Sequence, residues 1–385
     1  MLQYTFSIPT KICFGAGCVK DASKYAKELN MSKVMLVADK GVIGAGLTKD
    51  VEESLKAAEI PYVFYDKIVP NPRDYHCEEG YEVAKEAGID GLVAVGGGSS
   101  MDTAKAIGTL LTHGGHVQDW CGADKLERKI TPLIAIPTTA GTGSEVTPFA
   151  VVTDSNTHVK LNIFDVKAAP DVALVDPSML MGLPAPIMAA TGIDALTHAV
   201  EAYTCNLAVP HTDAYAIYAV KLISQNLEKA VHNRDAASCD GMMLGSTIAG
   251  IAFGYSDVGS VHCMAEALGG RYDLAHGVAN AILLPTVTEY NLSANYKKYA
   301  DIAEAMGVAE DGMSVEEKAK ACVRGLKRLC LAVGIQPMNS YEQICPENFE
   351  ELSEAAMKNV STPSNPKPMT PAIYKELFER AYYEK

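Results

Sequence analysis

Four side chains in the second half of the chain could hold a cation. Asp194 and His198 lie in GIDALTHAVEAY, His262 in VHCMAEALGG and His276 in LAHGVANAILLP. An i, i+4 spacing puts Asp194 and His198 on one helix face. Three imidazoles and a carboxylate suit a divalent first-row metal such as Fe2+ or Zn2+. Spacing by itself is not diagnostic. A single helical histidine is more often a surface or satisfied core residue, and His76, His113, His116, His158, His211 and His232 have no such assignment.

A second kind of chemistry is suggested by Gly96-Gly97-Gly98-Ser99-Ser100-Met101-Asp102, which follows the apolar run GLVAV and opens a helical pattern. Residues without Cβ let backbone approach an anion, and the free N–H groups of a first helical turn point at it. The pattern is neither G-x-G-x-x-G nor a Walker loop. It reads equally well as a tight turn in which Ser99 caps the helix and Asp102 sits in its first turn. A second small-residue loop, Pro137-Thr138-Thr139-Ala140-Gly141-Thr142-Gly143-Ser144, follows PLIAI and could wrap a ribose or phosphate. Asp39 ends VMLVAD, where a carboxylate can accept from adenine-ribose hydroxyls and repel a 2′-phosphate. A helix-cap or turn role is the commoner use of such a residue.

The elements that must carry these residues fall into two textures. Residues 33–38, 60–65, 91–95, 132–136 and 172–176 are short apolar runs, which suit strands buried on both faces. Helical patterns such as 47–58 and 76–87 alternate with them, as in a doubly wound α/β domain. An opening hairpin over about residues 3–14 is a further expectation. Beyond DPSMLMGLP, where Pro184 and Pro186 interrupt, helical stretches dominate: 186–205, 211–230, 241–253, 261–269, 276–290 and 295–306. The expected division is an α/β dinucleotide-binding domain over 1–180 and an α-helical, metal-binding domain over 181–385.

Composition narrows the function. The formal charge is −14, from 47 acidic and 33 basic residues, which opposes broad nucleic-acid binding but not capture of a pyrophosphate by backbone amides. No run of eighteen apolar residues argues for a membrane span, and MLQYTFSIPTKICFG has no secretory pattern. Ten scattered cysteines without a C-x-x-C pair fit reduced thiols in the cytoplasm.

Together, GGGSSMDTAKAIG, PLIAIPTTAGTGSEVTPFAVVTD, DVALVDP, GIDALTHAVEAY and VHCMAEALGGRYDLAHGVANAILLP, in this order, resemble the iron-containing alcohol dehydrogenases of the dehydroquinate-synthase-like group. The resemblance implies a Rossmann-like N-terminal domain, an all-α C-terminal domain and an active site in a cleft. It implies Asp194, His198, His262 and His276 as ligands of Fe2+, with Zn2+ as the alternative. It places Gly97, Gly98 and Ser99 on the pyrophosphate side of NAD, and Thr138, Thr139 and Thr142 on the adenine side; Asp102, just after the glycines, stands with Asp39 as a further cofactor-side candidate. Lys160, in THVKLNIFD, matches a lysine near the nicotinamide ribose, and Asn71, in VPNPR, another cofactor-side position. A solvated lysine and a turn asparagine are the plain readings of those two.

One position departs from the family. Many members read V-H-x-M-A-H, and the last residue here is Glu266, which could relay protons, hydrogen-bond an imidazole or simply be solvated. The expected activity is hydride transfer between NAD and short primary alcohols, diols or aldehydes. A homodimer or larger homo-oligomer is expected. A glycerol or polyol dehydrogenase of the same superfamily, a lyase that uses NAD transiently, and a non-catalytic NAD- and metal-binding protein are the competing readings.

Overall fold

In a computed structural model that describes residues 3–156 and 159–384, the apolar runs of the first half become strands. They are β1 (Lys11–Phe14), β2 (Val34–Val37), β3 (Tyr62–Tyr65), β4 (Gly91–Gly96), β5 (Gly122–Ala123), β6 (Leu133–Pro137), β7 (Phe149–Thr153), β8 (Lys160–Phe164) and β9 (Val172–Val175). Six of them form an all-parallel sheet in the order β1-β9-β6-β4-β2-β3. Parallel pairing requires crossovers, and the helices Lys49–Ala57, Asp74–Ala87 and Gly98–His113 supply three of them. β2, β4 and β6 are buried along their whole length, which is why they read as unbroken apolar runs.

The chain passes from β2 outward to β3, then returns to the opposite side of β2 to form β4. The topology therefore switches between β2 and β4, and in open α/β sheets ligands bind outside the carboxyl ends of strands at such a point. Asp39 follows β2, the Gly97–Ser99 turn into the next helix follows β4, and the Thr138–Thr142 loop follows β6.

The opening hairpin does not form. β1 pairs in parallel with β9, Lys11 opposite Val172 and Phe14 opposite Val175, and no strand precedes it among the described residues. Pro9 stands just before β1 and lacks the N–H that a ladder needs. A second small sheet, β5-β8-β7, was not foreseen; β7 and β8 run antiparallel, Val151 opposite Asn162.

The chain forms two compact units, Met1–Leu183 and Pro184–Lys385. The second unit is helical: Ala185–Thr204, Pro210–His232, Ala236–Gly254, Ser260–Tyr272, His276–Asn291, Tyr296–Ala305, Val315–Ala332, Phe349–Met357 and Pro371–Tyr383. Pro184 and Pro186 open the first of these, where a missing N–H costs nothing. The helix Ala236–Gly254 is long and apolar enough to cross a membrane, but most of it is buried against its neighbours.

Within the first unit, Lys105 fixes the two small-residue loops relative to each other. It is fully buried, and its Nζ donates toward Ser144 Oγ at 2.9 Å, Thr147 O at 3.0 Å, Thr147 Oγ1 at 3.2 Å and Phe149 O at 2.7 Å. The Ser144 hydroxyl in turn donates to Asp102 Oδ1 at 2.6 Å. A carboxylate and an ammonium on one helix are thereby joined through the loop after β6. Burial lowers the Lys105 pKa to about 8, against the pull of Asp102 and Glu145.

Removing one member of such a pair leaves a buried charge uncompensated, so Lys105→Ala should cost about 3–5 kcal/mol in denaturant unfolding of the first unit. The pH dependence has a definite sign. Lys105 binds its proton less tightly in the folded chain, so its charging penalty is complete below about 8 and is relieved as pH rises toward the ordinary value of 10.5. The stability of the wild type relative to Lys105→Met should therefore increase across that window.

Candidate functional site

The helix Ala185–Thr204 carries Asp194 and His198 one turn apart, both buried. The helix Ser260–Tyr272 contributes His262 from its first turn, and His276 begins the helix His276–Asn291. One ligand atom from each of the four side chains lies within 4.8 Å of all the others. Asp194 Oδ1 stands 3.9 Å from His262 Nε2 and 3.6 Å from His276 Nε2. A tetrahedral ion with bonds of about 2.0–2.2 Å needs ligand atoms roughly 3.4 Å apart, so a small contraction would complete the shell. Three ligands are enclosed, while the His276 side chain is 39% exposed.

The protonation states suit a cation. Burial raises the Asp194 pKa, but the imidazoles of His198, His276 and His262 outweigh it and hold the carboxyl below its usual range. Burial also lowers His198 to about 3 and His262 to about 4. At neutral pH the set therefore presents one carboxylate and neutral rings at His198 and His262, the forms that ligate.

Two further observations fit. Asn280 Nδ2 has three potential acceptors, Asp194 Oδ1 at 2.7 Å, His262 Nε2 at 3.2 Å and His276 Nε2 at 3.1 Å. An amide has two hydrogens for three lone pairs, so those lone pairs converge on a point where a positive charge is favoured. His198 Nδ1 is enclosed without a hydrogen-bond partner among the described residues. The Phe253 ring stacks on the His198 ring at 4.0 Å between centroids, which fixes the plane of that imidazole.

Close helix packing brings the ligands together. A Cβ on Gly277 would sit 2.4 Å from the Ala190 carbonyl oxygen and 3.3 Å from Asp194 Cβ. Only glycine lets the turn after His276 lie against the backbone that carries Asp194. Glu201 completes the surroundings. Its Oε2 lies 2.5 Å from His262 Nδ1 and its Oε1 accepts from Val261 N at 2.8 Å. Burial lifts its pKa to about 7, opposed by backbone amides at Val261, Gly259 and His262.

Glu266 is placed differently from the expectation of a bond to an imidazole. Its Oε2 accepts from Asn359 Nδ2 at 2.6 Å, and the carboxylate that reaches a ring is Glu201. Sequence reading passed over Glu201, Asn280 and Gly277. Glu201 is three residues after His198 and Asn280 four after His276, so helical period was the available signal.

In the first unit the two small-residue loops meet. A Cβ on Gly98 would lie 2.8 Å from Thr142 Cγ2, and one on Gly97 would lie 3.3 Å from Thr139 Oγ1. Thr138 N donates to Gly96 O at 2.9 Å. The helix begins at Gly98 with Gly97 as its cap residue and no side-chain cap, so Ser99 is not the cap. Asp39 does cap: its Oδ1 accepts from Gly41 N at 2.8 Å and Val42 N at 3.0 Å, while its Oδ2 faces Gly96. Asp102, expected on the cofactor side, is turned to other work. Its oxygens accept from Ser144 Oγ and from Val151 N at 3.1 Å; burial raises its pKa, and Lys105 opposes that rise. Lys160 and Asn71 do come together, Lys160 Nζ donating to Asn71 Oδ1 at 2.8 Å and to Thr153 Oγ1 at 3.1 Å.

The tight fit at Gly277 is testable. Gly277→Ala should push the His276 helix off Ala190 and weaken Zn2+ binding by on the order of ten-fold or more, with overpacking costing about 1–3 kcal/mol. A chelator-competition titration and a melting curve measure both.

Comparison with known proteins shows the family. The family described as iron-containing alcohol dehydrogenase matches residues 9–177, and the C-terminal family of Fe-containing alcohol dehydrogenases matches 188–382. The 1,3-propanediol dehydrogenase of Citrobacter freundii is 40% identical over 383 residues, covering 99% of each chain. The NAD-dependent methanol dehydrogenase of Bacillus methanolicus is 38% identical over 377 residues, 98% of this chain and 99% of that one. The crystal structure of a 1,3-propanediol oxidoreductase superposes with a TM-score of 0.97 at 37% identity, covering 99% of this chain and 100% of the other. Two family models spanning most of the chain and relatives 38–40% identical along nearly its whole length agree, and the chain belongs to the iron-containing alcohol dehydrogenase family.

Proposed function

We propose that the protein is an NAD-dependent, divalent-metal-dependent dehydrogenase that interconverts short primary alcohols or diols and their aldehydes. The observation that carries this reading is the meeting of Asp194, His198, His262 and His276 within 4.8 Å. A divalent cation bound there supplies Lewis acidity toward an alcohol or carbonyl oxygen, and the nicotinamide supplies or takes up hydride. The chain's own residues supply position and field. The unblocked amides at Gly97, Gly98 and Ser99 offer donors to a pyrophosphate, with Thr138, Thr139 and Thr142 across from them. Lys160 and Asn71 are held as a pair for the ribose side.

Fe2+ is the cation proposed, with Zn2+ compatible with the same ligands. The metal activity is proposed to reside in residues 181–385 and the dinucleotide site in 1–180. We also propose a cytoplasmic location, in keeping with ten free cysteines. A homodimer or larger assembly is proposed as well, because β1 is an edge strand that leaves Ile12 and Phe14 37% and 42% exposed. Light scattering on the purified protein decides the assembly.

Activity is tested by NADH absorbance with short alcohols, diols and aldehydes, after anaerobic loading with Fe2+ or Zn2+. Turnover in the loaded enzyme and its loss on chelation are expected; absence of net NADH formation across the set would refute the dehydrogenase reading. His262→Ala should lose both bound metal and activity.

Cofactor choice is read separately at Asp39. A 2′-phosphate adds about −1.5 to −2 charges, so NAD should have the higher kcat/KM. Asp39→Asn keeps an oxygen to cap Gly41 and Val42 but removes the charge, and should raise the NADP-to-NAD ratio of kcat/KM.

A further inference from the structure

Asp194, His198 and Glu201 occupy positions i, i+4 and i+7 of one helix, a single face of it. All three are buried, Glu201 to 5% exposure. No lysine or arginine forms an ion pair with Glu201 among the described residues; it hydrogen-bonds the His262 ring and the backbone that opens the Ser260–Tyr272 helix. That helix has Gly259 at its cap position and no side-chain cap of its own. The Glu201 carboxylate, arriving from another helix, fills that role with Oε1, where the helix dipole favours negative charge. Gly259 leaves the room: a Cβ there would sit 3.0 Å from Glu201 Oε1.

The second oxygen acts on the ligand. An ionised carboxylate only accepts, so Glu201 Oε2 at 2.5 Å from His262 Nδ1 calls for a hydrogen on Nδ1. A neutral imidazole carries one hydrogen, which leaves Nε2 with a lone pair facing Asp194 Oδ1 and His276 Nε2. We propose that Glu201 is a positioning residue that selects the Nδ1–H tautomer of His262 and aims its Nε2 at the cation, while anchoring the helix that carries the ring. This rests on the reading of Asp194, His198, His262 and His276 as cation ligands. It assigns the role considered for Glu266 to a different carboxylate on a different helix.

Glu201→Gln separates the two tasks. The amide oxygen must accept from Val261 N, which turns the amide N–H toward His262 Nδ1 and forces the hydrogen onto Nε2. The cap survives and the tautomer reverses. At pH 8, nitrogen-15 imidazole spectra of the full-length, metal-free protein, assigned by the signal lost in His262→Ala, should show Nδ1–H in the wild type and Nε2–H in Glu201→Gln. Competition against a chromophoric chelator should show Zn2+ affinity reduced by about 10–100-fold in Glu201→Gln, with the melting midpoint of the metal-free protein unchanged.

Wild-type His262 found as Nε2–H, or Glu201→Gln binding Zn2+ as tightly as the wild type, overturns the proposal. A wild type that does not bind Zn2+ or Fe2+ refutes the ligand assignment instead, and the tautomer spectra still judge Glu201. Should Glu201→Gln fail to fold, the wild-type spectrum alone decides.

Discussion

Bringing four lone-pair donors to one point inside a helical bundle costs desolvation and repulsion, and the surrounding structure is arranged to meet that cost. Asp194 is buried with its carboxyl held below its usual range and accepting from Asn280, and burial keeps His198 and His262 neutral. None of this is possible unless the backbones approach closely, and that rests on Gly277 lying against Ala190. Ring orientation is then a matter of neighbours: Phe253 sets the plane of His198, and Glu201 holds His262. The centre is built by packing first and by charge second.

The nucleotide-side unit answers a different requirement, backbone exposure without side chains in the way. There the constraint is the approach of Gly97 and Gly98 to Thr139 and Thr142, maintained from behind by the Asp102–Ser144–Lys105 chain. Buried polar groups of this kind are costly when left incomplete. In both units the buried polar side chains nearest the proposed ligands work mainly on neighbouring residues, holding loops or rings in place.

How far the sequence could be read depended on how local each signal was. The parallel strands were legible because β2, β4 and β6 are buried on both faces and therefore apolar throughout. β1 was misread as half of a hairpin because its partner, β9, is remote in the chain, and the small sheet was missed because β5 has only two residues. Asp194 and His198 share a helix face by spacing alone. His262 and His276 join them only through tertiary packing, which no periodicity reveals; the family resemblance supplied that link. Glu201 stood in the same motif and was passed over, since a glutamate in a helix ordinarily reads as a solvated surface group. Asp102 shows the converse: position beside a glycine turn suggested the cofactor, while its oxygens are committed to Ser144 and Val151. The helix Val315–Ala332 had a readable start in the reciprocal capping of Ser314 and Glu317, a signal local to the sequence.

The unequal enclosure of the four ligands has a kinetic consequence. Asp194, His198 and His262 are held inside the bundle, whereas the His276 side chain is 39% open to solvent. Exchange of a bound ion would then have a direction: His276 is the ligand that water or a competing chelator would reach first, with Asp194, His198 and His262 after it. An ion held this way would be open to replacement from one side, so its identity would follow the supply of metals as well as the preference of the ligands.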